Sequence, residues 1–89
     1  MTEEKILVVE DDYVLAASLD ADLKTMGYHV VGLASTGRQA LETADKSPPD
    51  LAVMDIRLKG EMDGTEAALR LKREYPGEAL IVAGYCNDV

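Results

Sequence analysis

The sequence predicts an α/β fold with a parallel, doubly wound sheet, on two observations. Short apolar runs without polar alternation, such as Ile6-Leu7-Val8-Val9 and Leu51-Ala52-Val53-Met54, alternate along the chain with stretches of helical periodicity. Such runs suit strands buried on both faces. The connections are short, as right-handed βαβ crossovers prefer. In order, Lys5 to Glu10 reads as the first strand. Asp12 to Met26 follows as a helix, with Leu15, Leu19, Leu23 and Met26 at helical spacing and Gly27 as its stop. Tyr28 to Leu33 is the second strand. Thr36-Gly37-Arg38-Gln39 matches a capping box, and Ala40, Leu41 and Ala44 line a helix that ends before Pro48-Pro49. Leu51 to Asp55 is the third strand, followed by a loop from Ile56 to Met62. Asp63 is placed to cap a third helix carrying Ala67, Ala68, Leu69 and Leu71, which Pro76-Gly77 breaks. Ala79 to Ala83 is the fourth strand.

The 89 residues suffice for one domain with a thin core. With four Tyr and no Phe or Trp, that core is built from Leu, Val, Ile, Ala and Met. The formal net charge of −8 argues against direct binding to nucleic acid, whose phosphates need clustered Lys and Arg. It suits a domain that binds cations or docks on basic surfaces. The single Cys86 cannot form an internal disulfide and has no evident activating neighbour. No stretch approaches the roughly 18 apolar residues of a membrane span. The polar start Met1-Thr2-Glu3-Glu4 is unlike a signal peptide, so the expected location is cytoplasmic. The fourth strand is apolar throughout yet has no following helix, which predicts either that the natural chain continues past Val89 or that this edge is hidden in a dimer.

The chemistry concentrates where two strands end. The first runs into Glu10-Asp11-Asp12 and the third into Asp55. In a parallel sheet the carboxyl ends of the strands form the ligand crevice. If those strands are neighbours, the carboxylates converge, and like charges that close repel unless a cation sits among them. The pattern asks for a divalent metal beside a carboxylate able to take part in phosphoryl chemistry.

These segments resemble the response-regulator receiver domain of two-component signalling: ILVVEDD for the acidic pair, DLAVMDIRLKGEMDG around the phosphoacceptor and ALIVAGY for the fourth strand. The resemblance covers essentially the whole chain in one register. It implies a flavodoxin-like sheet of order 2-1-3-4, with residues 1–89 forming a receiver domain that lacks its fifth strand and last helix. It makes Asp55 the phosphoacceptor, served by a histidine kinase or phosphotransfer protein. It assigns Mg2+ to Glu10, Asp11, Asp55 and the backbone carbonyl of Arg57. Mg2+ prefers near-octahedral oxygen at about 2.0–2.1 Å and keeps several waters, so such a set suffices. The domain would be no enzyme beyond its own phosphorylation and dephosphorylation.

Two departures stand out. Receivers usually carry Thr or Ser at the end of the fourth strand, where this chain has Ala83; the next hydroxyl is Tyr85, too large for the same task. The Lys that follows a fifth strand in the family has no counterpart, since Lys59 lies in a different loop. A rival reading follows, in which the domain docks or dimerises without switching. A phosphohydrolase with a strand-end nucleophile is disfavoured, because the acid/base Asp expected two residues after Asp55 is Arg57. Simpler roles suit the remaining residues: Asp12 as a helix cap, Arg57 and Lys59 as solvated charges, His29 near a sheet edge, Met54 and Met62 as packing.

Overall fold

Four parallel strands form one sheet in the order β2-β1-β3-β4, with helices on both faces. The elements are β1 (Lys5–Val9), α1 (Tyr13–Thr25), β2 (His29–Ala34), α2 (Gly37–Lys46), β3 (Leu51–Asp55), α3 (Gly64–Glu74) and β4 (Ile81–Tyr85). This computed structural model describes residues 4–55 and 64–74, and the backbone of 81–85. The predicted fold class and strand order are both present. The 56–62 loop and the Asp63 cap lie outside the described residues.

Each face of the sheet has its own core. Leu7, Val9, Ala52 and Met54 pack with Ala40 and Ala44 of α2 and Ala67 and Leu71 of α3. Alternation sends Ile6 and Val8 to the opposite face, where Leu23 and Leu19 of α1 meet them with Val30, Leu51 and Val53. Two helices cover the first face and one covers the second among the described residues, so Leu51 and Val53 stay only partly buried. Two apolar residues of the predicted helices are exposed, at 60% each: Met26, placed in the stripe of α1 and found as its C-cap, and Leu69, one of the apolar residues of α3.

Local signals set the element ends. Asp12 caps α1, its side chain accepting from the Val14 and Leu15 amides at 3.0 and 3.2 Å. At the other end Gly27 has φ 94°, and the Tyr28 and Gly27 amides donate to the Leu23 and Lys24 carbonyls. This is a Schellman closure, which glycine makes without strain. Because Tyr28 is consumed there, β2 runs His29–Ala34, one residue later than predicted. For α2, Thr36 accepts from the Gln39 amide at 3.1 Å, while Gln39 Oε1 reaches past Thr36 to the amide and hydroxyl of Ser35. The predicted end of the fourth strand at Ala83 is corrected: the ladder with β3 pairs Leu51 with Ile81 and continues through Gly84 to Tyr85.

Gly32 marks a close approach. The β1–β2 register slips between Ile6 and Leu7, so Val30 and Gly32 are consecutive partners and Val31 is the extra residue of a bulge. A Cβ at Gly32 would lie 2.7 Å from Thr43 Cγ2 on α2. Thr is stiff at χ1 in a helix, so the methyl yields poorly. Gly32→Ala is expected to cost about 1–3 kcal/mol, read as a lower urea midpoint. A variant as stable as the parent would show that α2 shifts freely on the sheet.

Candidate metal and phosphoryl site

The geometry of the site begins at the opposite end of the sheet. The Lys5 amide donates to Asp50 Oδ2 at 2.8 Å, and the Asp50 amide donates to the Lys5 carbonyl at 2.8 Å. This two-way tie fixes where β3 starts relative to β1. The rungs then run from Ile6 with Leu51 to Val9 with Met54. One residue beyond the last rung, Glu10 and Asp55 emerge side by side. The chain leaves β1 for β2 on one side and later enters β3 on the other, so this rung is the topological switch point, where α/β sheets bind ligands.

Glu10, Asp11 and Asp55 each place a carboxylate oxygen within 4.8 Å of the others. Glu10 is 2% exposed, Asp55 1%, and Asp11 is half-buried. Glu10 is held twice over: its amide donates to the Ala34 carbonyl at 2.9 Å, and its Oε2 accepts from the Asp12 amide at 2.9 Å. The second bond fixes the turn from β1 into α1, setting Asp11 beside the strand ends. The first turn of α1 starts two residues further on, so the positive end of its dipole faces the acidic cluster.

Three of the four sequence-predicted ligands are thus brought together, and Asp12 takes the capping role expected of it. The fourth, the Arg57 carbonyl, lies outside the described residues. Ala83 lies level with Val53, and Tyr85 is the residue level with Asp55. Sequence reasoning missed the Glu10–Asp12 bond and the Asp50 tie. Asp50 could have been suspected as a polar residue just ahead of an apolar run, whereas residue type alone gives no sign of the Glu10 bond.

The donor set answers the question of fit. All three groups are hard carboxylate oxygens, with no His or Cys among them, which suits Mg2+ far better than zinc or copper. Two are almost fully enclosed, where repulsion is least screened by water, so a cation there relieves the most.

A family model described as the response regulator receiver domain matches residues 6–88. The chain is 37% identical over 88 residues to a protein-glutamate methylesterase/protein-glutamine glutaminase of Halobacterium salinarum, covering 99% of this chain and 24% of that protein. It is 36% identical over 81 residues to the transcriptional regulatory protein PdtaR of Mycobacterium tuberculosis, covering 91% and 39%. Among solved structures, the signal receiver domain of a modulated diguanylate cyclase from Desulfovibrio desulfuricans superposes with a TM-score of 0.84 at 36% identity, over 94% of this chain and 65% of that one. The chain therefore spans about a quarter to two fifths of the length of these two curated relatives. No helix among the described residues is long and apolar enough to cross a membrane.

Proposed function

The chain belongs to the response-regulator receiver family of two-component signalling, and from that premise we propose that it accepts a phosphoryl group on Asp55 from a histidine kinase or phosphotransfer protein, with Mg2+ at Glu10, Asp11 and Asp55. The observation that carries this reading is the convergence of the three carboxylates within 4.8 Å at the switch point. An Asp55 carboxylate oxygen attacks the phosphorus of the donor phosphohistidine. An O–P bond forms as the P–N bond breaks, and the departing imidazole keeps the electron pair. Bound Mg2+ would supply charge neutralisation for the phosphoryl oxygens. Glu10 and Asp11 hold the acidic cradle, and Glu10 also steadies the turn that presents Asp11. The Arg57 carbonyl completes the proposed ligand set. The product is an aspartyl phosphate, a covalent intermediate open to carboxylates.

The proposed chemistry is confined to the domain's own phosphorylation and dephosphorylation; the methylesterase activity named for the Halobacterium relative is that protein's. A cytoplasmic setting fits the partner class. Self-association through the side of β4 away from β3, which pairs with no other strand among the described residues, is part of the same proposal.

The test is mass spectrometry after incubation with Mg2+ and a small acyl phosphate. A gain of one phosphoryl group is expected in the parent, none in Asp55→Asn, and none when Mg2+ is chelated. A parent that takes up no phosphoryl group from any donor would sink this reading. The docking module, which Ala83 favours by lacking a hydroxyl, would then stand.

A further inference from the structure

Asp12 stands between the acidic cluster and α1 and bonds in both directions. Its amide donates to Glu10 Oε2 at 2.9 Å. Its side-chain Oδ1 accepts from the Val14 and Leu15 amides at 3.0 and 3.2 Å, and its carbonyl accepts from the Ala16 amide at 2.9 Å. Leu23 of α1 is buried against Ile6 and Val8 of β1, so the helix that Asp12 caps is anchored to the strand that carries Glu10. A closed path thus runs from β1 through α1 and Asp12 back to the Glu10 carboxylate. The three converging carboxylates do not include that of Asp12, which serves the α1 amides instead.

Resting on the Mg2+ reading above, we propose that Asp12 is a positioning residue for the metal site, one that sets Mg2+ affinity through Glu10 without touching the ion. An N-cap residue holds extended dihedrals, here φ −83° and ψ 107°, while its side chain satisfies amides that the helix leaves open. Without that acceptor the Val14 and Leu15 amides lose their cap, the first turn loosens, and residue 12 is drawn towards helical dihedrals. Its amide then no longer stands where it holds Glu10 Oε2. A carboxylate released from that bond gains rotamers, and binding a cation must first order it again. Groups that orient a metal ligand typically change metal affinity by about ten- to a hundredfold when removed.

Asp12→Ala, Asp12→Asn and Asp12→Ser all remove the same charge, but Asn and Ser cap a helix about as well as Asp does and Ala does not. Mg2+ affinity is read by titrating MgCl2 into the full chain and following amide chemical shifts. Asp12→Ala is expected to bind about tenfold more weakly than Asp12→Asn, with Asp12→Ser close to Asp12→Asn. Thr36→Ala removes the matching cap of α2, where Thr36 Oγ1 accepts from the Gln39 amide at 3.1 Å, and should leave the affinity at the parent's value. If Asp12→Ala does not fold, Asp12→Gly lacks the same acceptor yet is tolerated at a cap, and it carries the same expectation. Equal affinities in the Ala and Asn variants, or an equal loss in Thr36→Ala, would overturn this proposal while leaving Mg2+ at the cluster. A parent that shows no saturable shift with MgCl2 would overturn the Mg2+ reading and this one with it.

Discussion

Leu7→Ala is expected to cost about 4–5 kcal/mol, at the upper end for a buried leucine. Leu7 is 0% exposed in the central pair of strands, and its ladder partners are Gly32 on one side and Ala52 on the other. The core around it is rich in alanine: Ala34, Ala40, Ala44, Ala52 and Ala67 all belong to the same cluster. Alanine has no rotamer with which to fill a void, and α2 already lies against Gly32 through Thr43. The cavity therefore stays open, and the cost includes that cavity as well as the lost transfer energy. Small domains have little more stability than this in total, so the variant should be largely unfolded under mild urea. Leu69→Ala is the matched control, since Leu69 is 60% exposed and should change stability by less than about 0.5 kcal/mol. Similar urea midpoints for the two variants would contradict the packing described for the α2–α3 face.

Legibility in the sequence follows how local each signal is. The β3 boundaries were readable to the residue, because Pro48-Pro49-Asp50 precedes the apolar run and a carboxylate ends it. The turn at Gly27 was readable for the same reason: a positive φ leaves a glycine in the sequence. The carboxylate site was legible as far as strand ends go, since an apolar run that stops abruptly at Glu10 or Asp55 marks the carboxyl edge of a buried sheet. What makes those ends coincide was not legible. The Asp50–Lys5 tie joins residues 45 apart: Asp50 stands out as a polar residue ahead of an apolar run, but nothing near it names Lys5 as its partner. The end of β4 failed in the same way: its extent is fixed by pairing with β3, while Gly84 and Tyr85 alone read as the start of a loop. Helical spacing found the right face of α1 but carried Met26, its C-cap, into it, because periodicity gives a direction around a helix and leaves open where along it the packing ends. In α3 the run Ala67-Ala68-Leu69 spans more than half a turn, so Leu69 turns away from the face that buries Ala67 and Leu71.

Mg2+ at a hundredfold excess over its dissociation constant is expected to stabilise the protein by about 2.7 kcal/mol, since the proposed site would hold it in the folded chain and is lost on unfolding. For a domain of this size that corresponds to a rise of about 10–20 °C in the thermal midpoint. The expectation rests on geometry: two carboxylates with 2% and 1% exposure and a third half-buried, all with oxygens within 4.8 Å. Carboxylates this close repel one another when charged, and a cation held among them would offset that repulsion in a poorly screened site. Asp11→Asn separates this from a general salt effect. It deletes one charged oxygen donor at the half-buried position and leaves the two buried carboxylates in place. Affinity should fall at least tenfold, so at the same Mg2+ concentration the stabilisation shrinks by about 1.4 kcal/mol. Glu10→Gln should do the same and yet keep the bond from the Asp12 amide, since the amide oxygen of Gln still accepts. Calorimetric scans with and without chelator make the measurement. Equal midpoint shifts in the parent and both variants would mean that Mg2+ acts elsewhere, and the three carboxylates would then be a charged strand end without a metal.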